Sequence, residues 1–188
     1  MELKEKFSIA APPDEVWPLM SDPAVVAACI PGAELTELTP EGAHRGKVTF
    51  KFGPTVAVFR GETRLTYDHP VKRCLIEARG IDQKGASRAR ARFELEALGT
   101  DTTEVTMAGN FEVAGPLETF ASAGGVHVAR ALMKEFATNI SNVIEQRRVH
   151  GSDAALEQAP AASGTKIIGR ALLDGARGLV TRKSDEKK

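Results

Sequence analysis

Residues 116–147 read PLETFASAGGVHVARALMKEFATNISNVIEQR, and the fold turns on this stretch. Leu117, Phe120, Ala121, Gly124, Val128, Ala131, Leu132, Phe136, Ile140, Val143 and Ile144 recur at three- and four-residue spacing, the period of a helix with one apolar face. At about 1.5 Å per residue such a helix is about 45 Å long and can lie along the diagonal of a small sheet. A sheet with one apolar face needs a cover, and this helix is the obvious one.

The sheet is written in the residues before it. Leu3, Phe7 and Ile9 alternate with Lys4, Lys6 and Ser8 in a first strand that Pro12 and Pro13 stop. Asp14 and Glu15 suit the first turn of a short helix that buries Val16, Trp17, Leu19 and Met20. Ser21-Asp22-Pro23 breaks it and caps a second short helix through Val25, Val26 and Ala28, which Pro31-Gly32 ends. Alternation then predicts strands over Ala33–Glu37, Gly42–Phe52, Thr55–Tyr67, Lys72–Ile81, Ser87–Leu98 and Glu104–Val113. Gly53-Pro54, Asp68-His69-Pro70 and Gly99-Thr100-Asp101 are connections too short for parallel neighbours, so the sheet is antiparallel. The class is α+β: one strand, two short helices, six strands and a long helix over an apolar interior.

The totals narrow the function classes. A chain of 188 residues holds one domain and an appendage. Twenty-five basic residues cancel 25 acidic ones, so no global field draws nucleic acid. Eight Phe against one Trp and one Tyr suit an apolar interior better than a base-stacking surface. Two cysteines, Cys29 and Cys74, do not make a secreted scaffold. The first residues alternate charge with apolar groups, unlike a signal peptide, and no run of about 18 apolar residues exists to span a bilayer. A cytoplasmic protein is expected.

Past Val149, HGSDAALEQAPAASG is small and polar and reads as a flexible linker. The organisation expected is a domain over residues 1–147, a linker over 148–163 and a tail over 164–188. In the tail, Ile168, Leu172, Ala176, Leu179 and Val180 fall on one helical side, with Lys166, Arg170, Asp174 and Arg177 on the other. Seven basic residues and three acidic ones from Gly164 onward give it a net +4, so the rest of the chain carries −4. A basic amphipathic helix of this kind suits a membrane surface, and Ile168, Leu172, Leu179, Val180, Arg170 and Arg177 are its expected anchor. The same apolar face would also fit a protein groove, and Gly164, Gly169, Gly175 and Gly178 weaken it as an isolated helix.

Val16-Trp17-(x)2-Met20-(x)-Asp22-Pro23, followed by Ala28-Cys29-Ile30-Pro31-Gly32-Ala33-Glu34, resembles the signature of the CoxG family, named for a subunit of carbon monoxide dehydrogenase, in the START/Bet v 1-like superfamily. Lys51-Phe52-Gly53-Pro54, Phe59-(x)-Gly61 and the long final helix extend the resemblance over about residues 1–147. It implies a helix-grip fold, a curved antiparallel sheet of seven strands closed by a long helix over a hydrophobic cavity. It also implies an accessory of a molybdenum-containing hydroxylase of the carbon monoxide dehydrogenase type. That accessory would be linked to the inner face of the cell membrane and would handle a lipid-like molecule such as a quinone or another isoprenoid lipid. A basic, amphipathic appendage after a linker fits the family pattern. No catalytic residues transfer with the resemblance.

The expected ligand-binding residues are the inward alternates of the strands, Phe50, Phe52, Phe59, Tyr67, Phe93, Met107 and Phe111, with Phe120, Gly124, Gly125 and Val128 from the helix. Small residues recur beside them at Ala57, Gly61, Ala78, Ala89, Ala91 and Gly109, which would leave volume for a ligand. Each Gly of the helical pair costs about 1 kcal/mol relative to Ala, which suits close backbone approach, a portal or simple packing. Tyr67 could donate a hydrogen bond to a ligand carbonyl. His44, His69, His127 and His150 stand too far apart in sequence for a metal motif, and only His127 could face the cavity from the helix. Cys29 has no His-paired nucleophile signature, and neither a paired-carboxylate nor a Ser-His-Asp pattern occurs. Neither metal nor covalently bound cofactor is expected. Arg88, Arg90 and Arg92 alternate with Ala89, Ala91 and Phe93 as a cationic stripe on the outer sheet face.

The reading is a non-enzymatic carrier of a hydrophobic small molecule. An assembly or membrane-recruitment factor without ligand is one rival, and a cyclase or hydrolase using the cavity is another. Because the linker holds little to dock, a chain ending at Gly151 is expected to keep the melting temperature of the full chain in calorimetry. Loss of cooperative unfolding would make the tail part of the core.

Overall fold

The computed structural model describes residues 1–52 and 55–151. Its elements are β1 (Glu2–Ile9), α1 (Pro13–Met20), α2 (Pro23–Cys29), β2 (Ala33–Leu38), β3 (His44–Phe52), β4 (Thr55–Asp68), β5 (Arg73–Asp82), β6 (Arg88–Gly99), β7 (Thr103–Ala114) and α3 (Glu118–His150). The helix starts are chemically specified. Pro13 and Pro23 each stand in the first turn, where a missing N–H costs nothing, and the Asp22 carboxylate accepts from Ala24 N at 2.9 Å as the cap of α2.

The seven strands form one antiparallel sheet in the order β1-β7-β6-β5-β4-β3-β2. Strands β2 to β7 follow one another as a meander, and β1 then pairs with β7, so the first strand lies beside the last. Close approach shapes the sheet at two glycines. A Cβ at Gly61 would collide with the carbonyl oxygen of Arg79, and one at Gly109 with that of Arg92. The helix α3 passes the expected end at Arg147 and runs through His150, which takes residues 148–150 out of the expected linker. Arg147 and Arg148 place cations at its C-terminal dipole, and Arg148 holds Glu15 of α1 through two hydrogen bonds of 2.8 and 2.7 Å.

One face of the sheet looks toward the helices, and its coverage is uneven. The closed core gathers at one end, where Leu132, Phe136, Ile140 and Ile144 of α3 are buried at four-residue intervals. The last three meet Val16, Trp17, Leu19 and Met20 of α1, Val25 and Cys29 of α2, and Ile9, Cys74, Ala97 and Val105 of the sheet. Phe7 packs its ring edge-to-face on Phe136 at 6.2 Å. The first half of α3 has no such seam: up to Ala131 only Ala121 is buried.

Two substitutions test this asymmetry. Ile140 has 0 % of its surface exposed and Phe120 has 49 %. Ile140→Ala is expected to cost about 2–5 kcal/mol in urea unfolding, whereas Phe120→Ala should stay within about 0.5 kcal/mol. Equal losses would mean that both halves of α3 are packed alike.

Candidate functional site

Pairing registers show which side chains share the inner face. Val48 faces Phe59 and Phe50 faces Ala57 across β3 and β4. Leu65, Ile76, Phe93, Gly109 and Leu3 form a continuous row across β4, β5, β6, β7 and β1. Thr63, Ala78, Ala91 and Phe111 form the next, and Gly61, Gly80, Ala89 and Val113 the one after. Phe50, Phe59, Phe93 and Phe111 therefore belong to one apolar surface, as their alternation predicted. All four are half-buried, and the Phe50 and Phe59 rings meet edge-on at 6.2 Å. Alanines and glycines separate them, so the rings stand over low ground.

The first half of α3 lies over part of this surface. A Cβ at Gly125 would come within 3.1 Å of the Phe111 ring, so Gly125 lets the helix approach that ring closely. Gly124 has nothing within 4 Å of its virtual Cβ and makes no such approach. Val128 is half-buried, whereas His127 is exposed and Phe120 turns outward. Met107 is buried, and its cross-strand partners are Leu95 and Glu5. The Phe52 side chain lies outside the described residues, as do Gly53-Pro54 and the tail positions Ile168, Arg170, Leu172, Arg177, Leu179 and Val180.

Tyr67 sits at the packed end, apart from the four Phe rings. Its ring stacks on His69 at 5.6 Å and meets Trp17 edge-on at 6.1 Å, while Trp17 Nε1 donates to His69 Nδ1 at 3.1 Å. Burial drives the Tyr67 pKa far up and lifts both the Cys29 and Cys74 thiols to about 11. All three stay protonated at neutral pH, which makes the thiols poor nucleophiles. This trio was not legible in the sequence, because 52 residues separate Trp17 from His69. A second unforeseen anchor is Ser87. Its Oγ accepts from Leu117 N at 3.1 Å and its N donates to Asp82 Oδ1 at 2.8 Å, tying the β5–β6 turn to the start of α3.

The outer face is charged and largely paired: Arg92 with Glu77, Arg79 with Glu62, and Arg73 with Glu96 at 2.8 Å. Arg92 of the predicted stripe thus belongs to an alternating lattice, while Arg88 and Arg90 have no ion pair among the described residues. Groups of three or more His, Cys, Asp or Glu able to hold a metal do not occur among the described residues. Likewise, no described helix is long and apolar enough to cross a membrane.

Solved structures share this architecture. A conserved protein from Geobacillus kaustophilus superposes with a TM-score of 0.69 at 18% identity, covering 78% of this chain and 97% of that one. A START superfamily protein from Mycobacterium smegmatis gives 0.54 at 17%, covering 77% and 96%. The ZhuI aromatase/cyclase from Streptomyces sp. R1128 gives 0.51 at 15%, covering 82% and 99%. These likenesses establish the START-like fold. No curated protein matches the chain at a significant level. The family model for CoxG, a carbon monoxide dehydrogenase subunit, matches residues 6–145, well over half of the chain, and the protein belongs to the CoxG family.

Proposed function

We propose that the protein is a non-catalytic carrier that holds an apolar, lipid-like molecule against the inner sheet face and serves a molybdenum-containing dehydrogenase. The observation behind this reading is the set of half-buried rings Phe50, Phe59, Phe93 and Phe111, of which Phe111 lies under the small-residue half of α3. Apolar surface left partly in water forgoes roughly 25 cal/mol for every Å² uncovered, and a bound apolar molecule recovers that term. Four rings among alanines and glycines favour a planar aromatic head, which stacks or meets them edge-on, and an isoprenoid chain that needs only apolar contact. A quinone has both parts. The family name supports a carbon monoxide dehydrogenase as partner.

Decylubiquinone is the probe. Full-length protein should bind it saturably in fluorescence-quench or calorimetric titration, and native mass spectrometry with lipid extraction should recover an isoprenoid quinone from freshly purified protein. Phe93→Asp places a carboxylate on the inner face and is expected to weaken decylubiquinone by about tenfold or more at unchanged fold. Absence of saturable binding and of extracted lipid would overturn the carrier and leave an assembly role without ligand.

The tail enters as the membrane contact. Its apolar residues Ile168, Leu172, Leu179 and Val180 can enter the acyl boundary, and each basic residue near an anionic surface adds about 1 kcal/mol. Full-length protein should co-sediment with anionic vesicles, less so at high salt as the Debye length shrinks, and hardly with neutral ones. Equal partitioning of a chain ending at Gly151 would end the anchor reading.

A further inference from the structure

The strand β1 is an edge of the sheet, and among the described residues its outer side is unpaired. Met1 N donates to Phe111 O at 2.7 Å and Phe111 N to Met1 O at 2.9 Å, so residues 1 and 111 are a hydrogen-bonded pair. The antiparallel register then directs the backbone of Leu3, Glu5, Phe7 and Ile9 toward β7. The N–H and C=O groups of Lys4, Lys6 and Ser8 point the other way, to an edge that no described strand covers. Beside that edge α3 leaves a hollow of about 450 Å³, walled by Phe7 and Ser8 on the strand, by Met133, Lys134 and Ala137 on the helix, and by the Glu5–Arg130 ion pair that joins the two. The Thr138 and Ser141 hydroxyls bond back to the Lys134 and Ala137 carbonyls at 3.1 and 2.8 Å, which leaves the helix wall few free polar groups.

We propose that this edge receives one extended segment of a partner protein as an eighth strand, in which small aliphatic residues alternate with acidic ones. Strand geometry sets the alternation. Side chains turned inward meet Met133 and Ala137 in a hollow that suits small apolar groups. Those turned outward stand beside Lys4 and Lys6, on the other side of the sheet from α3 and Lys134. Glu104 holds Lys6 at 2.6 Å and Glu5 holds Arg130, but Lys4 and Lys134 have no ion pair among the described residues. Outward-turned carboxylates on the incoming strand supply Lys4 with its missing partner. The same charges disfavour a second copy of this chain, because two β1 edges placed together would set lysines against lysines. Main-chain hydrogen bonds give such an addition its affinity and alternate side chains its selectivity. The edge lies outside the Phe surface, so this site does not depend on the carrier reading.

A fluorescein-labelled peptide of alternating Val and Glu, titrated into the full chain by anisotropy, is the test. Saturable binding is expected, with weaker binding of a blocked peptide of the same composition and of an alternating Val-Lys peptide. Hydrogen exchange should show the Lys4, Lys6 and Ser8 amides becoming protected as the peptide saturates. Lys6→Pro removes an edge donor that β7 does not use, which an edge strand tolerates. It should weaken the peptide by about tenfold, the equivalent of one net hydrogen bond, at an unchanged melting temperature. Lys4→Glu should weaken it as well and flatten its salt dependence. Should Lys6→Pro fold poorly, a peptide N-methylated on alternate residues makes the same deletion from the other side. No saturable binding, or binding indifferent to both deletions, overturns the proposal. A concentration-dependent dimer in sedimentation that Lys6→Pro abolishes would also overturn it, by assigning the edge to a second copy.

Discussion

Everything in this molecule is arranged around the C-terminal half of α3 pressing Phe136, Ile140 and Ile144 into the angle between α1, α2 and the near end of the sheet. A seven-strand meander cannot bury its inner face alone, and two helices of eight and seven residues are too short to be stable by themselves. Each part acquires its partner only when α3 arrives. The polar contacts at that junction fix its angle. Asn139 Nδ2 donates to the Cys29 carbonyl at 2.9 Å, and Arg148 holds Glu15, so α3 is tied to both short helices. Thr103 Oγ1, fully buried, donates to the Ala11 carbonyl at 2.7 Å and anchors the chain where it leaves β1 for α1.

With one end so tightly held, the other can be left unfinished. The side chains of α3 before Leu132 are mostly small, and those facing them on the sheet alternate Phe with Ala and Gly. Rings left half in water forgo part of their burial, roughly 25 cal/mol for every Å² uncovered. The burial at the junction carries the stability, and the half-covered Phe surface is carried by it. Ser87 contributes by fastening the start of α3 to the β5–β6 turn, so the small-residue half of the helix is held at both ends.

Which parts were legible in the sequence follows from the range of the interactions that make them. Alternation and turn residues act over a few positions, and they predicted all six later strands to within a few residues. They also placed Phe50, Phe59, Phe93 and Phe111 on common faces. The long helix declared itself by period, and its end at His150 is set locally by Gly151, whose φ of 83° and N–H to the Arg147 carbonyl close the last turn. The grip of Arg148 on Glu15, by contrast, spans 133 residues. The contact between Trp17 and His69 and the grip of Ser87 on Leu117 were out of reach for the same reason. Tyr67 shows the limit most clearly. Its parity put it on the correct face, but position along a strand decides whether that face is packed or half-covered, and only the tertiary arrangement sets the dividing line. The two glycines of α3 look alike in sequence, and the structure separates them, because only Gly125 faces a ring.

Charge completes the division of labour. The outer sheet face carries Arg and Glu in cross-strand pairs at the surface, where water screens their attraction. Such pairs add little to stability. Their effect is to spend opposite charges on one another, leaving a wide face that is well hydrated and attracts little. The cations that escape pairing then stand out, and two of them, Lys4 and Lys134, flank an open strand edge. In the same way the zero total charge conceals a basic tail of net +4 on an acidic remainder of −4. A neutral sum thus hides local imbalances that still act nearby, because each field is screened only beyond about 10 Å at 0.1 M salt.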